Sequence, residues 1–331
     1  MSSSLRQNVI IVGAAGNLGP HLVSIFDADP QFHVSILSRT SSDCSQFPPH
    51  IPVHRVDDYN TNESKLVEIL RGQDVIISAI AAQAVLHQKA IIDAALKAGV
   101  KHFVPSEYGH DTRNEQAARL LPPFFVTHKR LVVEYLQSKE AEGLKWTAFV
   151  TGPFFEMQER RAMILKDYGD HHWSTTTFNT VALAVKNAIL ATEKTANKYL
   201  FIESFNVSQK GILSTLETLT MTKWNVSYHD AEEEKALALG KLSQGNYSAL
   251  PTLMCKRCIG PGFEDVSQID DDSSEHGGAD SDDFGTMFIV SGRESAQPSP
   301  IITVPQPSSS GIQGFRVINP ELMALARKLP T

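Results

Sequence analysis

The chain has 331 residues, 42% hydrophobic and 20% charged, with a formal net charge of −7. This is enough apolar material for one large domain or two modest ones, and it argues against a basic nucleic-acid-binding surface. Nine acids lie between Glu264 and Asp283 with no Lys or Arg among them, leaving 28 acids against 30 bases elsewhere, so the acidity is local.

Residues 1–8 lack the apolar stretch of a signal peptide. Val9-Ile-Ile-Val12 is a wholly apolar run ending in glycine, which suits a buried parallel strand. Leu18, Leu22, Ile25 and Phe26 share one face of a helix. Strands are predicted at 33–37 and 53–56, a helix at 62–70, a strand at 74–80, a helix at 85–98 stopped by Gly99, and a strand at 101–104. A helix at 125–138 and a strand at 145–150 follow. Strands alternating with helices at this spacing predict an α/β fold with a doubly wound parallel sheet. Farther on, helices are predicted at 180–192, 210–222 and 232–244, with a strand-like stretch at 199–208.

From 264 to 314 the composition turns acidic and rich in Pro and Ser, too poor in apolar residues to offset the entropy of ordering. A short helical pattern closes the chain at 320–328. The domain reading is therefore a dinucleotide-binding unit at 1–155, a smaller substrate-covering part at 156–263, a disordered segment at 264–314, and a C-terminal helix within 315–331. No apolar run approaches the ~20 residues needed to span a bilayer, so no membrane is expected. Three cysteines, Cys44, Cys255 and Cys258, are too few for a disulfide framework and fit a reducing, cytoplasmic setting. Cys255-x-x-Cys258 is half of a zinc site at most, and no metal is expected.

Gly13-Ala14-Ala15-Gly16-Asn17-Leu18-Gly19 stands between the first strand and the first helix. In that context the glycines have distinct uses: Gly13 for the tight turn, Gly16 for backbone approach to a pyrophosphate, and Gly19 for close helix–strand packing. The helix N-terminus beyond them offers N–H groups and partial positive charge to phosphates. The seven residues are the candidate cofactor-binding turn of a Rossmann domain. An acid about 20 residues beyond the glycines would hold the ribose 2′-hydroxyl of NAD. Here the second strand ends in Ser38-Arg39-Thr40-Ser41, and Arg39 can pair with a 2′-phosphate. The predicted cofactor is NADP(H).

The glycine spacing, the Ser-Arg-Thr at 38–40, Val104-Pro-Ser-Glu-Tyr-Gly109 and Gly152-Pro-Phe-Phe155 together resemble the NmrA-like and isoflavone reductase-like family of atypical short-chain dehydrogenases. Glu193-Lys-Thr-Ala-Asn197 and Phe205-Asn-Val-Ser208 are similar to its fungal members. The likeness covers roughly residues 5–263. It implies an NADPH-binding Rossmann domain, a smaller C-terminal substrate domain, and reduction of aromatic or polyketide-type small molecules, in fungi often within secondary metabolism. It also implies a second reading, since some members are non-catalytic NADP sensors that regulate a protein partner.

The resemblance carries the family's reductase lysine onto Lys129, within Thr127-His-Lys129, as both catalytic and cofactor-contacting. Ordinary short-chain dehydrogenases place a Tyr four residues before the active-site Lys; here Phe125 stands there, and no Tyr lies between Gly109 and Lys129. Residues 78–82, Ser106, Glu107 and Tyr108, and 152–155 follow strand ends and are expected near the cofactor. Phe154 and Phe155 are read equally as cover for nicotinamide or substrate and as core. His171 and His172 are placed in a loop. The favoured reading is an NADPH-dependent reductase of a small molecule with no nucleic-acid partner; the sensor, with its protein partner, is the alternative.

Overall fold

Continuous apolar runs and 3.6-periodic stretches alternate along the first half, and each becomes the corresponding element. The chain passes through β1 (Gln7–Val12), α1 (Gly19–Asp27), β2 (Phe32–Arg39), β3 (Val53–Val56), α2 (Glu63–Leu70), β4 (Val75–Ser78), α3 (Gln88–Ala98) and β5 (His102–Val104). It continues through α4 (Glu115–Leu120), α5 (Thr127–Ser138) and β6 (Lys145–Val150). The second half adds β7 (Met163–Lys166), β8 (His172–Thr175), α6 (Phe178–Leu190), α7 (Thr192–Thr195), β9 (Lys198–Ile202) and β10 (Phe205–Ser208). Last come α8 (Gln209–Thr220), β11 (Val226–His229), α9 (Ala231–Ser243) and β12 (Ile289–Ser291). The structure, a computed structural model, describes residues 6–60, 62–155, 163–166, 169–170, 172–246 and 289–291.

The main sheet has the order β12-β9-β6-β5-β4-β1-β2-β3. Seven strands, β1 to β6 and β9, run parallel, and β12 pairs antiparallel with β9 at one edge. The chain starts in the middle at β1, walks outward to β3, then crosses back to β4. That reversal between β1 and β4 is where an open α/β sheet makes its ligand crevice.

Alternate residues of the buried strands feed two cores, one on each face. Val9, Ile11, Ile36, Ile77 and Phe149 pack with Leu22 and Phe26 of α1 and with Val181 and Val185 of α6. Ile10, Val12, Leu37, Ile76 and Phe103 pack with Leu66 of α2, Ile91 of α3 and Val132 of α5 on the other face. This is the doubly wound α/β arrangement that the alternation predicts. It also draws α6 and β9, from beyond residue 155, into the same sheet and core.

The smaller C-terminal part has a core of its own, with Phe155, Trp173, Ile212 and Leu216 buried together and Phe205, Val207 and Trp224 against them. β8 and β10 pair antiparallel, and β7 and β11 form a second two-stranded unit.

Three details differ from the sequence reading. The stretch 199–208 is two strands in different sheets, because Ser204 N–H donates to the Thr175 carbonyl (3.0 Å) and turns the chain out of the main sheet. His172 lies on β8, not in a loop, with Nδ1 2.9 Å from Asn206 Oδ1, while His171 is outside the described residues. The helix expected at 85–98 begins as a 3₁₀ turn, Ala82–His87, before α3 takes over. The segment 264–314 lies outside the described residues except for Ile289–Ser291, as do Cys255, Cys258 and all of 315–331. Among the described residues, no helix is long and apolar enough to cross a membrane.

Candidate functional site

The glycine-rich turn sits at the C-terminal end of β1, at the sheet's reversal point. Gly13 has φ +81°, and a Cβ there would stand 2.7 Å from the Ala79 carbonyl carbon and oxygen. Only glycine combines that left-handed backbone with such an approach to the end of β4. At Gly19 a Cβ would lie 2.0 Å from the Ala14 carbonyl oxygen, so the helix start is pressed directly onto the turn. Gly16 N–H donates to the Gly13 carbonyl at 3.0 Å and closes the turn. Ala14 and Leu18 point into the core, while Ala15, Gly16 and Asn17 form the exposed crest. The N-terminus of α1 has no side-chain cap, and Pro20 occupies its first turn. The remaining N–H groups of that turn are therefore available to a ligand anion. The arrangement fits a dinucleotide pyrophosphate.

At the end of β2, Ser38 is buried and Arg39 is exposed. The following turn is fastened to β3. Thr40 N–H donates to the Val56 carbonyl (2.8 Å) and Thr40 Oγ1 to Asp57 Oδ1 (2.9 Å). Arg55 Nη1 donates to the carbonyls of Arg39 (2.8 Å) and Ser42 (2.6 Å). No acid occupies the end of β2.

Across the reversal point, the loops after β4 and β5 are tied together. Ser106 Oγ donates to the Ile80 carbonyl (2.8 Å), and Ser106 N–H donates to Gln88 Oε1 (2.9 Å). Beyond them, Lys129 in the first turn of α5 is only 8% exposed, and its Nζ donates to the Glu107 main-chain carbonyl. A Cβ on Gly109 would stand 3.7 Å from that Nζ, so the ammonium rests against the glycine backbone. Burial pulls the Lys129 pKa below the ordinary lysine value, and the Glu107 charge works against that pull.

Glu107 is 1% exposed, and its Oε2 accepts from Thr112 Oγ1 at 2.7 Å. Burial pushes its carboxyl up to about 7, against the opposing influence of Lys129 and Thr112. Arg113 lies over the Tyr199 ring at 4.4 Å and pairs with Asp111 at 2.7 Å, bordering the same group. A buried cation and a buried carboxyl therefore share one electrostatic neighbourhood, bordered by the Asp111–Arg113 pair. Such a pair can hold or release a proton near neutrality.

The structure brings Gly13, Gly16, Gly19 and their turn to the reversal point, with Lys129 beyond the end of β5 and Arg39 at the end of β2. It separates the two phenylalanines. Phe154 packs on Phe178 (centroids 4.5 Å apart) at the main core, whereas Phe155 packs on Phe205 (5.3 Å) in the smaller one. Tyr108 is buried, stacked near Phe149 (6.2 Å), and burial raises its pKa. The burial of the Glu107 carboxyl and the grip of Arg55 have no local sequence signal. Each depends on a contact between elements distant along the chain.

The NmrA-like family model matches residues 6–205. Oxidoreductase aprR of Aspergillus flavus is 50% identical over 78% of this chain and 90% of its own length. A probable pinoresinol-lariciresinol reductase of Arabidopsis thaliana is 31% identical over 46% of this chain and 49% of its own. Among solved structures, a leucoanthocyanidin reductase–NADPH complex from Vitis vinifera is similar in fold, with a TM-score of 0.62 at 18% identity over 78% of this chain and 89% of that one. With the Rossmann turn and the match over most of the sheet, the chain belongs to the NmrA-like family and is an NAD(P)-dependent oxidoreductase of the isoflavone-reductase kind.

Proposed function

We propose that the protein is an NADPH-dependent reductase of a small aromatic or polyketide-type metabolite, with Lys129 as its catalytic residue. The observation that carries this reading is the near-complete burial of the Lys129 ammonium beyond the end of β5. Most helix lysines are solvated; a buried one needs partners, which the Glu107 carbonyl and charge supply here, and it is held where a cofactor's reactive end would lie. The backbone of 13–19 would hold the pyrophosphate at the N-terminus of α1. Arg39 would pair with the 2′-phosphate, which accounts for the absence of an acid at the end of β2. When bound, NADPH supplies a hydride. Lys129 meets the negative charge that reduction leaves on a substrate oxygen, and it can give that oxygen a proton. A cation in a site shielded from water does this far better than one in bulk solvent. With no Tyr four residues before Lys129, the lysine takes the proton-handling part.

We assign 1–155, completed by α6 and β9, to cofactor binding, and the remainder of 156–263 to substrate coverage. The core of Phe155, Trp173, Ile212 and Leu216 supports that division. The leucoanthocyanidin and pinoresinol-lariciresinol reductases lend the aromatic class of substrate. The test is NADPH consumption over a panel of aromatic and polyketide-type metabolites from the source organism. Turnover of one such compound supports the proposal. Tight NADPH binding with no turnover across the panel refutes it in favour of a cofactor-sensing role.

A further inference from the structure

We propose that Arg55 is a specificity-determining residue that fixes the end of β2, where Arg39 stands, and the turn after it, and so selects a cofactor bearing a 2′-phosphate. The inference rests on the NADPH reading above and deepens it. Arg55 stands on β3, opposite Ser38 of β2 in the parallel register. Its Nη1 bridges two carbonyls of the loop, at Arg39 (2.8 Å) and Ser42 (2.6 Å). The loop is closed within itself as well, by Ser42 N–H donating to the Arg39 carbonyl at 3.0 Å. Thr40 adds two bonds to the end of β3, through its N–H to Val56 and its hydroxyl to Asp57. A three-residue excursion is thus held at both ends and in the middle.

Two physical consequences follow. A carbonyl oxygen carries partial negative charge, and two of them beside an anion site would oppose a phosphate; the guanidinium takes up both and adds a positive charge at the same place. The main chain of Arg39 is also fixed before any ligand arrives. An arginine on a loose loop must lose backbone as well as rotamer freedom on pairing, whereas here only the side chain remains to be ordered. Both effects bear first on the 2′-phosphate, the group that Arg39 would meet. Asp43, the nearest acid along the loop, has its charge occupied by the backbone and side chain of Ser45, with Arg55 adding to the pull that lowers its pKa.

The test measures dissociation constants for NADPH and NADH, and for adenosine 2′,5′-bisphosphate and 5′-AMP, with wild type, Arg55→Met and Thr40→Val. Arg55→Met should weaken NADPH and the bisphosphate by about tenfold and leave NADH and 5′-AMP within about twofold. Thr40→Val, an exposed change that leaves the core alone, should weaken the same two ligands by a few-fold. If Arg55→Met fails to fold, Thr40→Val decides. An unchanged NADPH/NADH ratio in the folded variants, or equal loss for both cofactors, overturns the inference. Equal affinity of the wild type for NADPH and NADH would instead overturn the NADPH reading beneath it.

Discussion

Two buried titratable groups should tilt the stability of this protein in opposite directions over the same pH range. His102 opens β5, is 3% exposed, and has Nε2 2.9 Å from Thr147 Oγ1, which in turn donates to the Thr195 carbonyl. Burial, with Lys145 nearby, lowers its pKa from 6.5 to about 4. The unfolded chain therefore binds the His102 proton more readily, and this group's share of stability is complete above pH 6.5 and lost as pH falls toward 4. Glu107 behaves inversely. Its carboxyl rises from 4.5 to about 7 on folding, so its share is complete below pH 4.5 and lost as pH rises toward 7. Each shift corresponds to roughly 3 kcal/mol at about 1.4 kcal/mol per pH unit. Between pH 4.5 and 6.5 the two slopes largely cancel.

Single variants should expose them. In urea titrations from pH 4 to 7.5, His102→Asn should lose stability relative to wild type as pH rises from 4 to 6.5, by up to about 3 kcal/mol. Glu107→Gln should gain relative to wild type as pH rises from 4.5 to 7. Cavities or lost hydrogen bonds shift a whole curve without changing its slope, and all other groups are common to the three proteins. Variant curves that run parallel to wild type at every pH would refute the assigned protonation states.

Lys129→Ala should lower kcat on a turned-over substrate by about 10²–10⁴-fold, with a much smaller change in NADPH affinity measured by titration; wild-type kcat would make the lysine a bystander. Wild type should bind NADPH at least about tenfold tighter than NADH, or about 1.4 kcal/mol, and Arg39→Asp should erase or reverse that preference in a competition binding assay. Gly19→Ala forces a Cβ to within 2.0 Å of the Ala14 carbonyl oxygen, so the start of α1 must move off the turn. Thermal unfolding should report a loss of about 1–3 kcal/mol, and NADPH should bind more weakly; a variant with unchanged affinity would mean that the helix start does not contact the phosphates.

The parts of the fold that were legible in the sequence are those set by neighbours along the chain. The run from Val9 to Gly13 and the face made by Leu22 and Phe26 announce strand, turn and helix within twenty residues, and the parallel sheet follows from repetition of that unit. Arg39 was legible for the same reason, as a strand-end residue where an acid would otherwise stand. The bend at Glu203 and Ser204 was not, because apolar residues continue on both sides and only bonds to a distant part of the chain, from Ser204 to Thr175 and from Thr177 to Ser204, reveal it. Phe154 and Phe155 look alike in sequence, yet they serve different cores. Lys129 came from likeness to relatives, since Lys129-Arg130 reads as ordinary helix surface. Its burial is a property of where α5 meets the loop after β5, and the same holds for the carboxyl of Glu107.

Among the described residues, the small core of Phe155, Trp173, Ile212 and Leu216 shares no buried residue with the two cores that flank the main sheet. Stability changes add when sites have no common partners. The costs of substitutions in the C-terminal core and at the dinucleotide turn should therefore simply sum against one shared stability margin, with no coupling between them. Under the proposed division of labour, drift at Trp173, Ile212 or Leu216 would repack the substrate-covering part while the packing around the cofactor turn keeps its own partners.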